Sequence, residues 1–179
     1  MTQKNIRARH VGVLSAVFCV ALAGCSTTST SNAPNLSNVN DLAILPIVNY
    51  SETPEAGRRV ASVTESLLHQ KGFQPLKTFP QSERNTLLLT ATPDKAMTEA
   101  LEWARQVGAQ YALTGSVHEW RYKVGIDGEP VVGITFNLVD VPSGAVVWSN
   151  TGSRRGWSRS SLSGTSQQLI AELLEPLSP

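Results

Sequence analysis

The residue of this chain with the clearest chemistry is a cysteine at position 25. It follows Leu22-Ala23-Gly24, the end of an apolar run that begins at Val11 after a start with three basic residues. This order is typical of a lipobox, in which the cysteine sulfur takes a diacylglycerol and the peptide is cut just before it. The apolar run is too short to span a bilayer. The sequence therefore predicts a signal peptide over residues 1–24 and lipidation of Cys25. The alternative is a chance cysteine near an ordinary signal-peptidase site.

Cleavage before Cys25 would change the charge of the chain. The full sequence has 15 basic and 14 acidic residues among 179; residues 1–24 hold three of the basic residues and no acid, so 155 residues with 12 basic and 14 acidic side chains remain, a net charge of −2. Nucleic-acid binding rests on clustered Lys and Arg that neutralise phosphates, so this balance argues against such a partner. Cys19 leaves with the signal and Cys25 takes lipid, so no thiol remains for a disulfide, a metal or catalysis.

The remaining polar residues form no pattern typical of an active site. No H-x-x-x-H, C-x-x-C or G-x-S-x-G spacing occurs. His118 stands alone in a predicted strand, which is typical of a structural histidine rather than a general base. Asp127 and Glu129 lie in a loop without the ligand spacing of a calcium site. The sequence predicts a protein that is not an enzyme, with no metal and no cofactor beyond the covalent lipid.

Trp157 lies in a polar segment between Arg155 and Arg159, with no apolar neighbour. An indole flanked by arginines suits the headgroup region of a membrane, because the ring is amphipathic and the cations meet phosphates. We therefore predict membrane contact by Trp157, Arg155 and Arg159. The alternative is a tryptophan folded back as a cap on the sheet.

The elements that must position these residues follow from hydrophobic periodicity and helix signals. Residues 42–48 are a continuous apolar run, which predicts a buried strand. Thr53-Pro54-Glu55 and Thr92-Pro93-Asp94 each predict a helix start, with Thr as the N-cap and Pro at the first helical position. Pro75 places the short strand between the two helices at a sheet edge. We expect residues 81–92, with Leu87–Leu89, to be irregular.

The second half of the chain predicts an antiparallel meander and a final helix. The strands are expected over residues 111–124, 131–141 and 145–151, and the helix from Ser161 or Ser163 to Pro176. The fold class is therefore α/β (α+β): a single mixed β-sheet covered by helices in the order β-α-β-α-β-β-β-α. Residues 25–40 are small and polar and predict a flexible tether with a span of about 20–25 Å. Residues 41–179 then form one domain.

Three segments carry a resemblance to a known family. They are LAILPIVNYS at 42–51, ARQVGAQYALTGSV at 104–117 and LVDVPSGAVVWS at 138–149. They resemble the periplasmic α/β domain shared by CsgG, the N-terminal domain of TolB and LpoB, over about residues 41–177. Within that superfamily, the lipidated short chain and RGWSRSSLSG at 155–164 look most like the PelC family of outer-membrane lipoproteins from Pel exopolysaccharide export.

The resemblance to PelC implies a homo-oligomeric, dodecamer-like ring on the periplasmic face of the outer membrane. The ring would surround an outer-membrane β-barrel porin and guide the cationic Pel polysaccharide towards it. Trp157 would then face the membrane lipid, and Asp127, Glu129 and Glu119 are the candidates for an acidic, polymer-facing surface. In bacterial lipoproteins, Ser26 after the lipidated cysteine implies sorting to the outer membrane.

Two other functions remain open. An accessory lipoprotein that binds and regulates a cell-envelope protein, as LpoB-like synthase activators do, would need a long tether to cross the peptidoglycan, and about 15 residues is short for that reach. A channel of the CsgG kind would need membrane-spanning strands of about 9 to 11 alternating residues in addition to the domain. We find no such insertion in the sequence.

Overall fold

The computed structural model describes residues 26–34, 36, 41–80, 93–125 and 128–179. The predicted signal peptide, the predicted lipidation site Cys25, the expected irregular segment at 81–92 and the candidate acid Asp127 lie outside the described residues.

Six strands and three helices follow one another along these ranges. In chain order they are β1 (Ser26–Thr30), β2 (Leu42–Asn49), α1 (Ala56–Gln70), β3 (Leu76–Thr78), α2 (Pro93–Gln106), β4 (Tyr111–Tyr122), β5 (Pro130–Asp140), β6 (Ala145–Arg155) and α3 (Leu162–Leu174).

All six strands belong to one sheet with the order β1-β6-β5-β4-β2-β3. β2 pairs in parallel with β3 and β4, while β4, β5, β6 and β1 pair antiparallel to one another. The predicted mixed sheet is confirmed, and β3 lies at its edge, as Pro75 indicated. A glycine with positive φ, Gly144, closes the predicted turn between β5 and β6, where the Ser143 hydroxyl and N–H bind the Asp140 carboxylate and lower its pKa.

The helices cover the two faces of the sheet unequally. α1 and α3 pack on one face and bury the larger core against all the long strands. α2 packs on the opposite face and covers only its β2–β4 side. Beyond α2, the same face presents polar residues of β4, β5, β6 and β1, and we call it the open sheet face. Its exposed or half-buried members include Ser116, His118, Glu119, Thr135, Thr151, Ser153, Thr27 and Ser29.

The first helix starts later than predicted. α1 begins at Ala56 after Glu55, whose φ is 65°, and Thr53 does not cap it. The Thr53 hydroxyl instead donates to the backbone carbonyl of Trp120 on β4, a tertiary contact that sequence signals for a helix start do not reveal. At the other end of the chain, Ser161 is confirmed as the α3 N-cap and accepts from Gly164 N–H at 2.9 Å.

The N-terminal segment also differs from the prediction. Residues 26–30, expected in a flexible tether, form β1 and pair with β6 from Ser26–Arg154 to Thr30–Asn150. β6 is longer than predicted and runs to Arg155, because β5 on one side and β1 on the other supply partners for its second half. A segment without apolar residues joins the sheet here through backbone hydrogen bonds and hydroxyls, which a composition-based prediction does not count.

Candidate functional site

A partly buried group of polar side chains connects the N-terminal strand to the last helix. Ser26 Oγ donates to the Glu172 carboxylate, at 2.9 Å from both oxygens. The same carboxylate accepts from Arg154 at 2.7 Å. The residue that follows Cys25 is therefore held at the end of the sheet where β6 finishes. The contacts of Glu172 with Ser26 and Arg154 were not predicted from the sequence. Ser26 and Glu172 are 146 residues apart, and no local pattern indicates such a contact.

Trp157 lies on the loop that leaves this end of β6. Its indole is 62% exposed, so it is not the buried cap that the sequence left as an alternative. The loop itself is fixed: Trp157 N–H donates to Ser160 Oγ at 3.1 Å, and Gly156 N–H donates to Pro130 O at 2.8 Å. A Cβ on Gly156 would come within 2.6 Å of Thr165 Oγ1, so only glycine allows this approach. A rigid loop thus presents an exposed ring.

The two predicted arginines flank this ring, and one of them meets a predicted acid. Arg155 and Arg159 are both exposed. Arg155 Nε lies 3.5 Å from Glu129 Oε2. Glu129 therefore sits at the same end of the sheet as Trp157. A membrane-facing Trp157 and a polymer-facing Glu129 were predicted as separate surfaces, and the fold brings them together.

Glu119 lies elsewhere, on the open sheet face. Its carboxylate binds Arg121, with Oε1 3.0 Å from Nη2. Glu119 pairs with Gly133 on β5. Because glycine has no side chain, space is left beside Glu119. Of the two predicted acids that the structure describes, Glu119 is the one that lies away from the Trp157 loop.

Beside Glu119, His118 occupies an irregular position in the β4–β5 ladder, which shifts register between Val117 and Glu119. Its Nε2 lies 3.0 Å from both Ser116 Oγ and Thr135 Oγ1, and its ring stacks on Tyr50 at a centroid distance of 6.0 Å. These partners agree with a structural histidine, as the sequence indicated.

Two clefts meet at His118 and Glu119. One, of about 470 Å³, is also lined by Tyr50, Ser51, Glu52, Trp120 and Arg121. The other, of about 380 Å³, continues across the open sheet face past Thr27, Ser29, Thr151 and Ser153. Together they present carboxylates, hydroxyls and the 63% exposed ring of Tyr50. Tyr50 and Glu52 were not predicted as site residues, because the sequence of a short polar loop does not indicate which strand the loop crosses.

The other tryptophans have packing roles. Trp120 and Trp148 are buried in the larger core. Trp103 packs edge-on against Phe79 at 5.3 Å under α2. Within the described ranges, no three His, Cys, Asp or Glu residues are grouped to hold a metal ion. The helices that the structure describes include none with the length and apolar character needed to cross a membrane.

Comparison with solved structures identifies the family. The PelC dodecamer from Paraburkholderia phytofirmans is similar over 85% of this chain and 96% of its own, with 43% sequence identity and a TM-score of 0.72. The chain belongs to the PelC family. A second PelC dodecamer from the same organism, with a leucine-to-methionine substitution, matches at 44% identity and a TM-score of 0.73 over 86% and 98% of the two chains.

The wider relationships of this PelC family member agree with the predicted superfamily. The family model of the peptidoglycan-synthase activator LpoB matches residues 60–153. The lipoprotein GNA1162 from Neisseria meningitidis shares the fold, with a TM-score of 0.55 and 21% identity over 75% of this chain and 95% of its own. No curated protein sequence matches significantly. The recognition of the family and the predicted fold class are both confirmed.

Proposed function

We propose that this protein is a lipid-anchored outer-membrane lipoprotein that forms a periplasmic ring and guides a cationic exopolysaccharide to a β-barrel porin. The observation that carries the proposal is the 43% identity to a PelC dodecamer over nearly all of that chain. The ring, the porin and the Pel polymer are carried over from that family. The protein acts as a scaffold rather than an enzyme.

The proposed anchor is a thioether-linked lipid on Cys25. Each buried methylene of an acyl chain adds about 0.8 kcal/mol, so two or three chains hold the protein firmly on the membrane. Residues 1–24 are the signal peptide in this proposal, and Trp157, Arg155 and Arg159 contact the headgroups. The exposure of the indole on a fixed loop supports this role.

The proposed polymer path follows the open sheet face. Glu119 and Glu52 supply carboxylates for the ammonium groups of a partly deacetylated polymer, and Tyr50 offers an exposed aromatic face for a cation. Glu129 contributes less in this proposal, since it lines neither of the two clefts that meet at Glu119. Asp127 stays a candidate from the sequence.

Metabolic labelling with radioactive palmitate tests the anchor. The unmodified protein is expected to incorporate label and fractionate with the outer membrane, and Cys25→Ser is expected to do neither. Cys19→Ser is the matched control, because that thiol lies within the predicted signal. A wild-type protein without label that fractionates as a free periplasmic species would overturn the proposal.

Light scattering of the detergent-solubilised lipoprotein tests the ring. A mass of many copies is expected, because a closed ring joins one patch of each subunit to a different patch on the next. A monomer at high protein concentration would contradict the ring.

An accessory role on a peptidoglycan synthase is the second candidate. The match of the LpoB family model to residues 60–153 favours it. The docking of Ser26–Thr30 on β6 shortens the free linker, which counts against reach across the peptidoglycan. Affinity purification separates the two functions: a synthase recovered with the protein supports the accessory role, and a porin supports the export role.

A further inference from the structure

We propose that the β4–β5 hairpin is a second membrane-contacting element, in which Val124 enters the headgroup region of a lipid bilayer beside Trp157. The inference rests on the proposed lipid anchoring. It adds which residues of the domain face the bilayer and therefore how the domain is oriented on it. The bilayer surface is the partner, and the attached lipid, the loop and the hairpin contact it together.

The strand registers bring three segments to one end of the sheet. Tyr122 at the end of β4 pairs with Pro130, Val131 pairs with Arg155, and Arg154 pairs with Ser26. The end of β4, the Trp157 loop and the first strand residue after Cys25 therefore lie at the same end of the sheet.

Apolar surface is concentrated at this end. Val124 is 100% exposed, and Trp157 and Tyr122 expose about half or more of their surface. The Tyr122 hydroxyl accepts from Leu162 N–H at 3.0 Å, so its ring is fixed between the hairpin and α3. A valine that is fully exposed on the hairpin gains nothing from folding of a single chain, whereas transfer into an apolar layer stabilises it.

Cations lie among these apolar side chains, as a phosphate-rich surface requires, although two of them, Arg121 and Arg155, pair with Glu119 and Glu129. Arg121, Lys123, Arg155 and Arg159 lie on the hairpin and on the loop. Lys123 N–H donates to Glu129 O at 2.8 Å, which holds the base of the hairpin together. Cations near an anionic lipid surface are attracted to it, and long basic side chains place their charge at the interface while their stems stay in contact with apolar surface.

The attached lipid belongs to the same surface because β1 is docked. Ser26 is held by Glu172, and Cys25 precedes it by one residue, a distance of about 3.3 Å along an extended chain. The thioether would then leave the protein close to Arg154 and the Trp157 loop. A lipid held at this position orients the domain, which a free tether would not do.

Depth-dependent quenching in the lipidated full-length protein tests the inference. Val124→Cys and Trp157→Cys are each labelled with an environment-sensitive fluorophore, which is selective because Cys25 carries lipid. The protein is reconstituted into phosphatidylethanolamine–phosphatidylglycerol vesicles whose acyl chains are brominated. Val146→Cys is the matched control: this valine is also exposed, but it lies at the opposite end of β6.

We expect bromolipid quenching at position 124 that matches position 157 and exceeds position 146 by about twofold or more. Quenching at 157 alone would overturn the role of the hairpin and leave the proposed anchoring intact. A blue shift at 124 without bromolipid quenching would mean that a protein partner covers the valine, which also overturns the inference. Quenching at neither position would contradict both the inference and the membrane contact of Trp157.

Discussion

Ser26 and Glu172, separated by 146 residues in the chain, meet through two contacts of 2.9 Å between the serine hydroxyl and the carboxylate oxygens. Arg154 completes the group at 2.7 Å. The contact ties the first described residue of the chain to the last helix. With the lipid proposed on Cys25, the neighbouring residue that the fold holds would set where the lipid joins the domain, and the orientation of the domain on a membrane would depend on its tertiary structure.

Glu172→Ala is expected to release β1 from the domain. The substitution removes the acceptor of both Ser26 and Arg154, at a cost of about 1 kcal/mol because the group is partly exposed. Hydrogen exchange should show faster exchange of the β1 amides, with the central strands unchanged. Glu175→Ala, an exposed acid just beyond α3, is the control. Unchanged β1 protection in Glu172→Ala would show that the backbone ladder alone holds the strand.

Trp157→Ala is expected to reduce membrane contact or export with little effect on folding. The exposed indole contributes to no core cluster, so the free energy of unfolding should change by less than about 0.5 kcal/mol. Trp148→Ala is the comparison, since truncation of that fully buried ring should cost about 3 to 5 kcal/mol. Chemical denaturation of both variants measures the difference. A large loss in Trp157→Ala would mean that the ring supports the fold.

Replacement of Glu119 and Glu52 by Gln is expected to weaken binding of a cationic amino-sugar polymer at low salt. The reason is the loss of two carboxylates from the open sheet face, and the difference should shrink as ionic strength rises. Binding is measured by polymer titration at two salt concentrations. The pair Glu99→Gln and Glu102→Gln on α2, which removes the same two charges, is the control for net charge.

The pair Asp127→Asn and Glu129→Gln compares the hairpin acids in the same titration. We expect a smaller effect, because Glu129 does not line the clefts that Glu119 and Glu52 line. A larger effect from this pair than from Glu119 and Glu52 would move the polymer-facing surface to the hairpin.

Gly57→Ala is expected to destabilise the domain, although alanine favours a helix by about 1 kcal/mol over glycine in isolation. A Cβ at position 57 would lie 2.2 Å from Ile47 O, so α1 would have to move away from β2. Thermal unfolding gives the sign of the change. Gly133→Ala is the matched control, since its nearest contact would be an ordinary 3.4 Å. A stabilised Gly57→Ala would show that the helix shifts at little cost.

Most of the secondary structure could be predicted from the sequence because the signals are local. Apolar runs gave β2 and the meander, Pro93 marked the start of α2, and Ser161 marked the start of α3. The start of α1 could not be found this way, because Thr53 binds a carbonyl of β4 that lies 67 residues away. β1 was missed for a related reason: its partners on β6 are more than 100 residues distant, and its own composition is that of a linker.

By itself, the sequence determined the residue types that can be lipidated or can contact lipid, the order of the elements and the family resemblance. These follow from side-chain chemistry and from periodicity, which adjacent residues define. Only the tertiary structure decided that Glu129 pairs with Arg155 while Glu119 lies on the open sheet face. It also decided that Ser26, Val124 and Trp157 lie at the same end of the sheet. Such relations depend on strand register and helix placement, which are fixed by packing between distant segments and leave no local pattern in the chain.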